Sequence, residues 1–173
     1  GQCLSMNPHG KVPVVRDGSR LVWESNTIMR YLADTYATDT WIATDAYSRT
    51  LVDRWLDWSI DRLEPAFVSV FWGYYRTPPE QHDNTAIAAA VDDCEACLHA
   101  LSTQLSDQDF LLGDLPTLAD IATGVFLYRL ATIALPVVFP PTVACWYERL
   151  TQRRGYRRWV MSDFSELKGR SSY

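Results

Sequence analysis

Three short stretches carry residues whose types and spacing could do chemistry. In "NPHGKVPVVRDG", residues 7–18, Pro13 stands between Val12 and Val14 at the head of an apolar run. A proline cannot donate to a strand ladder and belongs at edges, first positions or bulges. One that opens a strand can be kept there by a cis bond to Val12, a rare and usually deliberate feature. The main chain of Val12 would then be turned outward, its amide and carbonyl free for another backbone. Twelve residues beyond Pro13, Glu24-Ser25 follows a strand pattern and opens a helical one. With Ser25 placed to cap, an amide and a hydroxyl meet the positive end of the helix dipole, which suits a carboxylate. Taken with Pro13, this describes a cleft for a small peptide; alone it would be read as capping.

The third stretch is Thr117-Leu118-Ala119-Asp120. Here Thr117 would accept from the Asp120 amide while the Asp120 carboxylate reaches back to the Thr117 amide, a capping box with Asp in place of Glu or Gln. Both residues are read as structural. Cys94-x-x-Cys97 invites a redox or metal reading, but it falls mid-helix among Ala and Leu, without a second pair at zinc spacing. Core packing is the better reading. His9, His82 and His99 show no mutual spacing for a metal site or triad; His82 reads as solvated and His99 as a core histidine. No metal centre is expected.

The elements needed to position these residues are legible. Residues 12–15 and 20–23 form two β-rich runs around the Asp17-Gly18 turn signal. Ile28, Tyr31, Leu32 and Tyr36 then recur at helical spacing, and residues 35–45, rich in Thr and Asp, read as a linker. From residue 45 the pattern is helical throughout. Leu51, Trp55, Trp58 and Arg62, widened by Val52, Leu56 and Leu63, form a stripe that "RTPPEQ" stops. Further helices are expected over 83–105, from "PTLAD" through the apolar "IATGVFLYRL", over 143–152, and briefly near Tyr156. The expected fold class is α+β: a partial thioredoxin-like domain over 1–37, a linker over 38–44, and an all-helical domain over 45–173.

Composition removes several classes of function. The 173 residues carry a net charge of −5, which disfavours nucleic acid, whose phosphates need a basic face. The one basic cluster, Arg153-Arg154 with Arg157-Arg158, reads as a solvated helix end. The longest apolar region, 121–141, is broken by Arg129 and Pro136, so no membrane partner is expected. Four scattered cysteines favour a reducing compartment, and with no export signal visible a cytoplasmic protein is expected.

"NPHGKVPVVRDG", "LVWESNTIMRYLA", "PTLADI" and "WYERL" together resemble the cytosolic glutathione transferases, in that family's order and over the whole chain. "WLDW" and "FWGYYRTPPEQHD" are most similar to the bacterial and theta-like branches. The resemblance implies a thioredoxin-like domain followed by a helical one, a homodimer, and glutathione as co-substrate for a small electrophile. It further implies that Pro13 is the cis-proline and that Val12 pairs with the cysteinyl backbone of glutathione. Glu24 and Ser25 would hold the γ-glutamyl end, with Lys11 on the glycine carboxylate and His9 beside it. Asn26 stands where some branches have an arginine. The electrophile is expected against Phe71, Trp72, Tyr75 and Arg76, where Arg76 either meets an anionic substrate or complements a helix end. The thiolate-stabilising residue belongs to a strand–helix–strand unit expected upstream of Gly1, so Cys3 and Ser5 are not assigned that role. Two further functions fit the same resemblance: a non-catalytic binding domain, and a glutathione-dependent disulfide reductase.

Overall fold

A computed structural model of the chain describes residues 6–37, 41, 43, 45–135 and 137–171. Strands β1 (Val14–Asp17) and β2 (Arg20–Trp23) form an antiparallel hairpin in which Val14 pairs with Trp23 and Asp17 with Arg20. The two-residue connection is Gly18-Ser19, with Gly18 in the left-handed region at φ 59°. That is the backbone a tight hairpin needs and that glycine adopts without a Cβ penalty. Strand β1 sits two residues later than its apolar run suggests, because Val12 and Pro13 stay outside the ladder, whereas β2 coincides with the run at 20–23. They are the sheet's only strands among the described residues.

Helix α1 (Ser25–Tyr36) follows β2 directly. Its inner face buries Asn26, Ile28 and Ala33, whereas Leu32 and Tyr36 are exposed. The expected apolar stripe is therefore only half used. Tyr31 and Tyr36 instead donate their hydroxyls to Asp17, tying α1 to the hairpin tip. Those two hydrogen bonds hold the Asp17 carboxyl below its usual range, Tyr31 contributing most. Much of the expected linker, at 38–40, 42 and 44, lies outside the described residues.

The helical region starts with α2 (Ala46–Trp58), capped by the Asp45 side chain accepting from the Ser48 amide at 2.9 Å. It runs without interruption through a π segment (Ser59–Leu63), α3 (Glu64–Val70) and a second π segment (Phe71–Arg76). The first π segment lies directly ahead of Pro65. Proline has no N–H for the ladder and crowds the preceding turn, and the wider π register absorbs that offset. The chain then turns at Thr77-Pro78-Pro79, as "RTPPEQ" requires.

Next come α4 (Asn84–Gln104), α5 (Leu118–Gly124), α6 (Leu127–Thr132), α7 (Pro141–Gln152) and α8 (Arg154–Trp159). Helix α5 is buried along most of its length, with Ala119, Asp120 and Thr123 fully inside. The single helix expected over "IATGVFLYRL" is two. At Gly124 a Cβ would come within 2.5 Å of Leu150, and the Gly124 carbonyl accepts from the Tyr156 hydroxyl at 2.7 Å. The chain bends there to let α7 and α8 approach. Trp55, Leu98, Leu127, Val143 and Trp146 meet in the main core of this region. No helix among the described residues is long and apolar enough to cross a membrane.

Two readings of surface position need correction. His99 is exposed on α4 rather than buried, and His82 is half-buried, its Nε2 3.0 Å from the Thr77 carbonyl. In the basic cluster all four arginines are exposed at helix ends: Arg157 and Arg158 lie in the last turn of α8, and Arg153, the C-cap of α7, also sits over the Trp41 ring at 5.4 Å.

Candidate functional site

The loop ahead of β1 is built around Asn7, which is 2% exposed. Its Nδ2 donates to the Lys11 carbonyl at 2.8 Å, and its Oδ1 accepts from the His9 amide at 2.9 Å. The Gly10 amide closes the turn on the Asn7 carbonyl at 2.9 Å, with Gly10 at φ 65°. This buried amide pins both ends of the four-residue span that presents His9 and Lys11. Sequence reasoning missed Asn7, although Asn-Pro-His-Gly is a turn signal in which an Asn side chain mimics backbone. His9 and Lys11 are exposed, and the His9 ring meets the Trp23 ring edge-on at 5.4 Å.

The Val12–Pro13 peptide is cis, and Val12 is 80% exposed. The ladder ends at the Val14–Trp23 pair, so Val12-Pro13 enters β1 and Glu24-Ser25 leaves β2 at the same end of the hairpin.

At that start the residue roles differ from the expectation. Glu24, not Ser25, is the N-cap, with φ 71°; Ser25 is the first helical residue, and no side chain caps the end. A non-glycine residue at such a φ is uncommon, and strain of this kind concentrates where geometry serves a site. The first ladder bond of α1 runs from the Ile28 amide to the Glu24 carbonyl at 2.8 Å. The Ser25 amide and hydroxyl thus lie on an exposed turn at the positive end of a three-turn helix, which favours an anion.

Asn26 fixes this turn from behind. It is 6% exposed, and its Nδ2 donates to the Leu56 carbonyl of α2 at 2.6 Å. The same carbonyl accepts from the Ser59 hydroxyl at 2.7 Å, where the π segment begins. One turn further along, Arg30 pairs with Asp53 at 2.6 Å and Asp57 at 3.3 Å. The Asn26 amide thus docks α1 on α2.

The structure brings Phe71, Trp72, Tyr75 and Arg76 together, but largely inward. Phe71 is 4% exposed and stacks with Phe67 and Tyr75. Arg76 is 3% exposed, lies 4.2 Å from the Trp72 ring, and donates through Nε to the Arg170 carbonyl at 2.7 Å. Phe71 is therefore a core residue, and Arg76 ties the C-terminal segment to the long helix. Arg76 also stands in the last turn of its helical segment, one of the two roles weighed for it.

Thr117 and Asp120 form the capping box of α5. The Thr117 hydroxyl oxygen accepts from the Ala119 amide at 3.2 Å, while Asp120 accepts from the Thr117 amide at 2.8 Å. Asp120 also accepts from the Leu111 amide at 2.9 Å and from Trp146 Nε1 at 3.0 Å. Burial pushes its carboxyl above the usual range, and these donors pull the other way. Cys94 is fully buried, its thiol pushed up to about 12 by burial. Burial raises Cys97 as well, so neither is a ready thiolate. No group of three or more His, Cys, Asp or Glu among the described residues could hold a metal ion.

A thioredoxin-like half with a cis Val12–Pro13 bond ahead of its hairpin, joined to a helical half, defines the class of protein. The chain matches the glutathione S-transferase N-terminal domain family over residues 2–34 and the C-terminal domain family over 84–168. It is 37% identical over 165 residues to the Escherichia coli K12 glutathione S-transferase GstB, covering 94% of this chain and 79% of that one. Rat glutathione S-transferase theta-1 is 32% identical over 151 residues, covering 84% and 63%. A theta class glutathione S-transferase from Xanthomonas axonopodis pv. citri, solved with glutathione bound, superposes with a TM-score of 0.84. It is 36% identical and covers 92% of this chain and 77% of that one. The chain belongs to the glutathione S-transferase family.

Proposed function

We propose that this glutathione transferase holds glutathione along Val12 with its γ-glutamyl end at Glu24-Ser25, and transfers it to a small electrophile. The observation that supports the reading is an exposed Val12 at a cis peptide bond, at the same end of the hairpin as the exposed helix start at Ser25. Val12 offers a peptide amide and carbonyl outside the ladder, matching the cysteinyl backbone of the ligand. Ser25 offers an amide and a hydroxyl to the γ-glutamyl carboxylate, and the Glu24 carboxylate suits its ammonium. Lys11, on the loop that Asn7 pins, complements the glycine carboxylate, with His9 next to it. Glutathione bound to the Xanthomonas relative supports the ligand's identity.

In this reading, the bound sulfur reacts as the thiolate: it forms a bond to the electrophilic carbon, whose leaving group departs with its electron pair. The protein contributes mainly by orienting the nucleophile. The described residues assigned here bind glutathione; none is assigned to stabilise the thiolate. Action in the cytoplasm as a homodimer is part of the same proposal, in keeping with the family resemblance.

The test is retention on immobilised glutathione, followed by turnover with an activated aryl chloride and with a mixed disulfide of glutathione. The proposal expects retention and aryl transfer. Retention without either turnover would point to a binding domain, and preference for the disulfide to a reductase.

A further inference from the structure

Asn7 is buried in a loop whose following residues, Pro8 to Pro13, are all exposed. Its side chain offers one carbonyl oxygen and one NH2 group, and the loop uses both. The oxygen accepts from the His9 amide at 2.9 Å, and the nitrogen donates to the Lys11 carbonyl at 2.8 Å. That second bond has a consequence one residue further on. The Lys11 carbonyl and the Val12 amide belong to one peptide unit, which is trans. In a planar trans unit the C=O and the N–H point in opposite directions. A carbonyl held inward on buried Asn7 therefore aims the Val12 N–H outward. Val12 is exposed, and no backbone hydrogen bond among the described residues uses its amide. The sheet does not set this peptide, because β1 begins only at Val14.

We infer that Asn7 is a positioning residue for glutathione: it aims the Val12 amide at the cysteinyl carbonyl and sets the loop from which Lys11 meets the glycine carboxylate. The inference rests on the glutathione reading above and adds the group that fixes the C-terminal half of the ligand. The γ-glutamyl end is held separately, since Ser25 lies on α1, which Asn26 docks on α2. Removing the Asn7 side chain therefore weakens one half of the ligand's contacts and spares the other. A simpler role, in which Asn7 only satisfies a buried turn, predicts no such split.

The test compares glutathione with γ-glutamylcysteamine, which keeps the γ-glutamyl end and the thiol but lacks the cysteinyl carbonyl and the glycine. Each is titrated by NMR into the whole protein and into its Asn7→Ala variant. The unsubstituted protein should prefer glutathione by about tenfold or more, the scale of one hydrogen bond to a charged group. Asn7→Ala should lower glutathione affinity by about tenfold and leave γ-glutamylcysteamine unchanged. A preference that survives Asn7→Ala, or a parallel loss for both ligands, overturns the inference. Gly10→Ala guards against an Asn7 variant that does not fold. Gly10 is exposed, its amide closes the same turn on the Asn7 carbonyl at 2.9 Å, and its φ of 65° is one that an alanine adopts only with strain. Gly10→Ala should reduce the preference in the same direction, and an unchanged preference there overturns the inference too. If the unsubstituted protein binds both ligands equally, the inference fails while the Ser25 end of the glutathione reading stands. If it binds neither, the glutathione reading itself fails and this inference with it.

Discussion

Ser25 sits at the first helical position of α1 with its side chain at an exposed turn. Replacing it with Ala removes a donor toward a carboxylate without disturbing the core. Glutathione affinity should therefore fall by about 1–3 kcal/mol, the range for hydrogen bonds to charged groups, with the melting temperature unchanged. Parallel calorimetry and thermal melts measure both, and an unchanged affinity removes Ser25 from the site. The cysteines give a second prediction at this scale. Cys94 is buried with its thiol pushed up to about 12, whereas Cys145 is exposed. A raised thiol pKa keeps Cys94 protonated and unreactive at pH 8. Brief alkylation followed by peptide mapping should label Cys145 and spare Cys94 until the chain is unfolded; rapid native labelling of Cys94 would contradict its burial.

At the scale of elements, the site depends on how α1 is docked. Asn26 donates from α1 to the Leu56 carbonyl, and Arg30 reaches Asp53 and Asp57. The ion pairs are partly exposed, and such pairs contribute little. The buried amide bond should therefore dominate, and Asn26→Ala should cost about 1–2 kcal/mol of stability. It should also weaken glutathione, because Ser25 is the adjacent residue. Denaturant unfolding and a glutathione titration test the pair of effects; lost stability with intact affinity would show that the turn holds itself.

The hairpin, the helix start and the Thr117–Asp120 box were legible because turn residues and capping residues act locally. Which of Glu24 and Ser25 caps α1 was not legible, since it rests on the φ of 71° that Glu24 adopts between β2 and α1. The break at Gly124 escaped for a different reason. It reflects contacts with Leu150 and Tyr156, far along the chain, rather than any local preference. Phe71 was misplaced because an aromatic-rich helix end reads alike whether it faces a ligand or Phe164.

At the scale of the whole molecule, the helical region receives α1 through Asn26 and Arg30, and within it Gly124 packs closely against Leu150. Gly124→Ala overpacks that joint and should cost about 1–3 kcal/mol, seen as a lower melting temperature. An unchanged melt would mean that Leu150 has room to move. The central claim concerns Val12 and the Glu24-Ser25 turn, which lie at the same end of the hairpin. The most direct measurement is a glutathione titration of the isotope-labelled protein followed through its backbone amide resonances. The account predicts saturable shifts of the Val12 and Ser25 amides with one shared dissociation constant, while amides of α4 stay in place. Saturable binding that leaves Val12 and Ser25 unmoved, or moves them with two different constants, would contradict it.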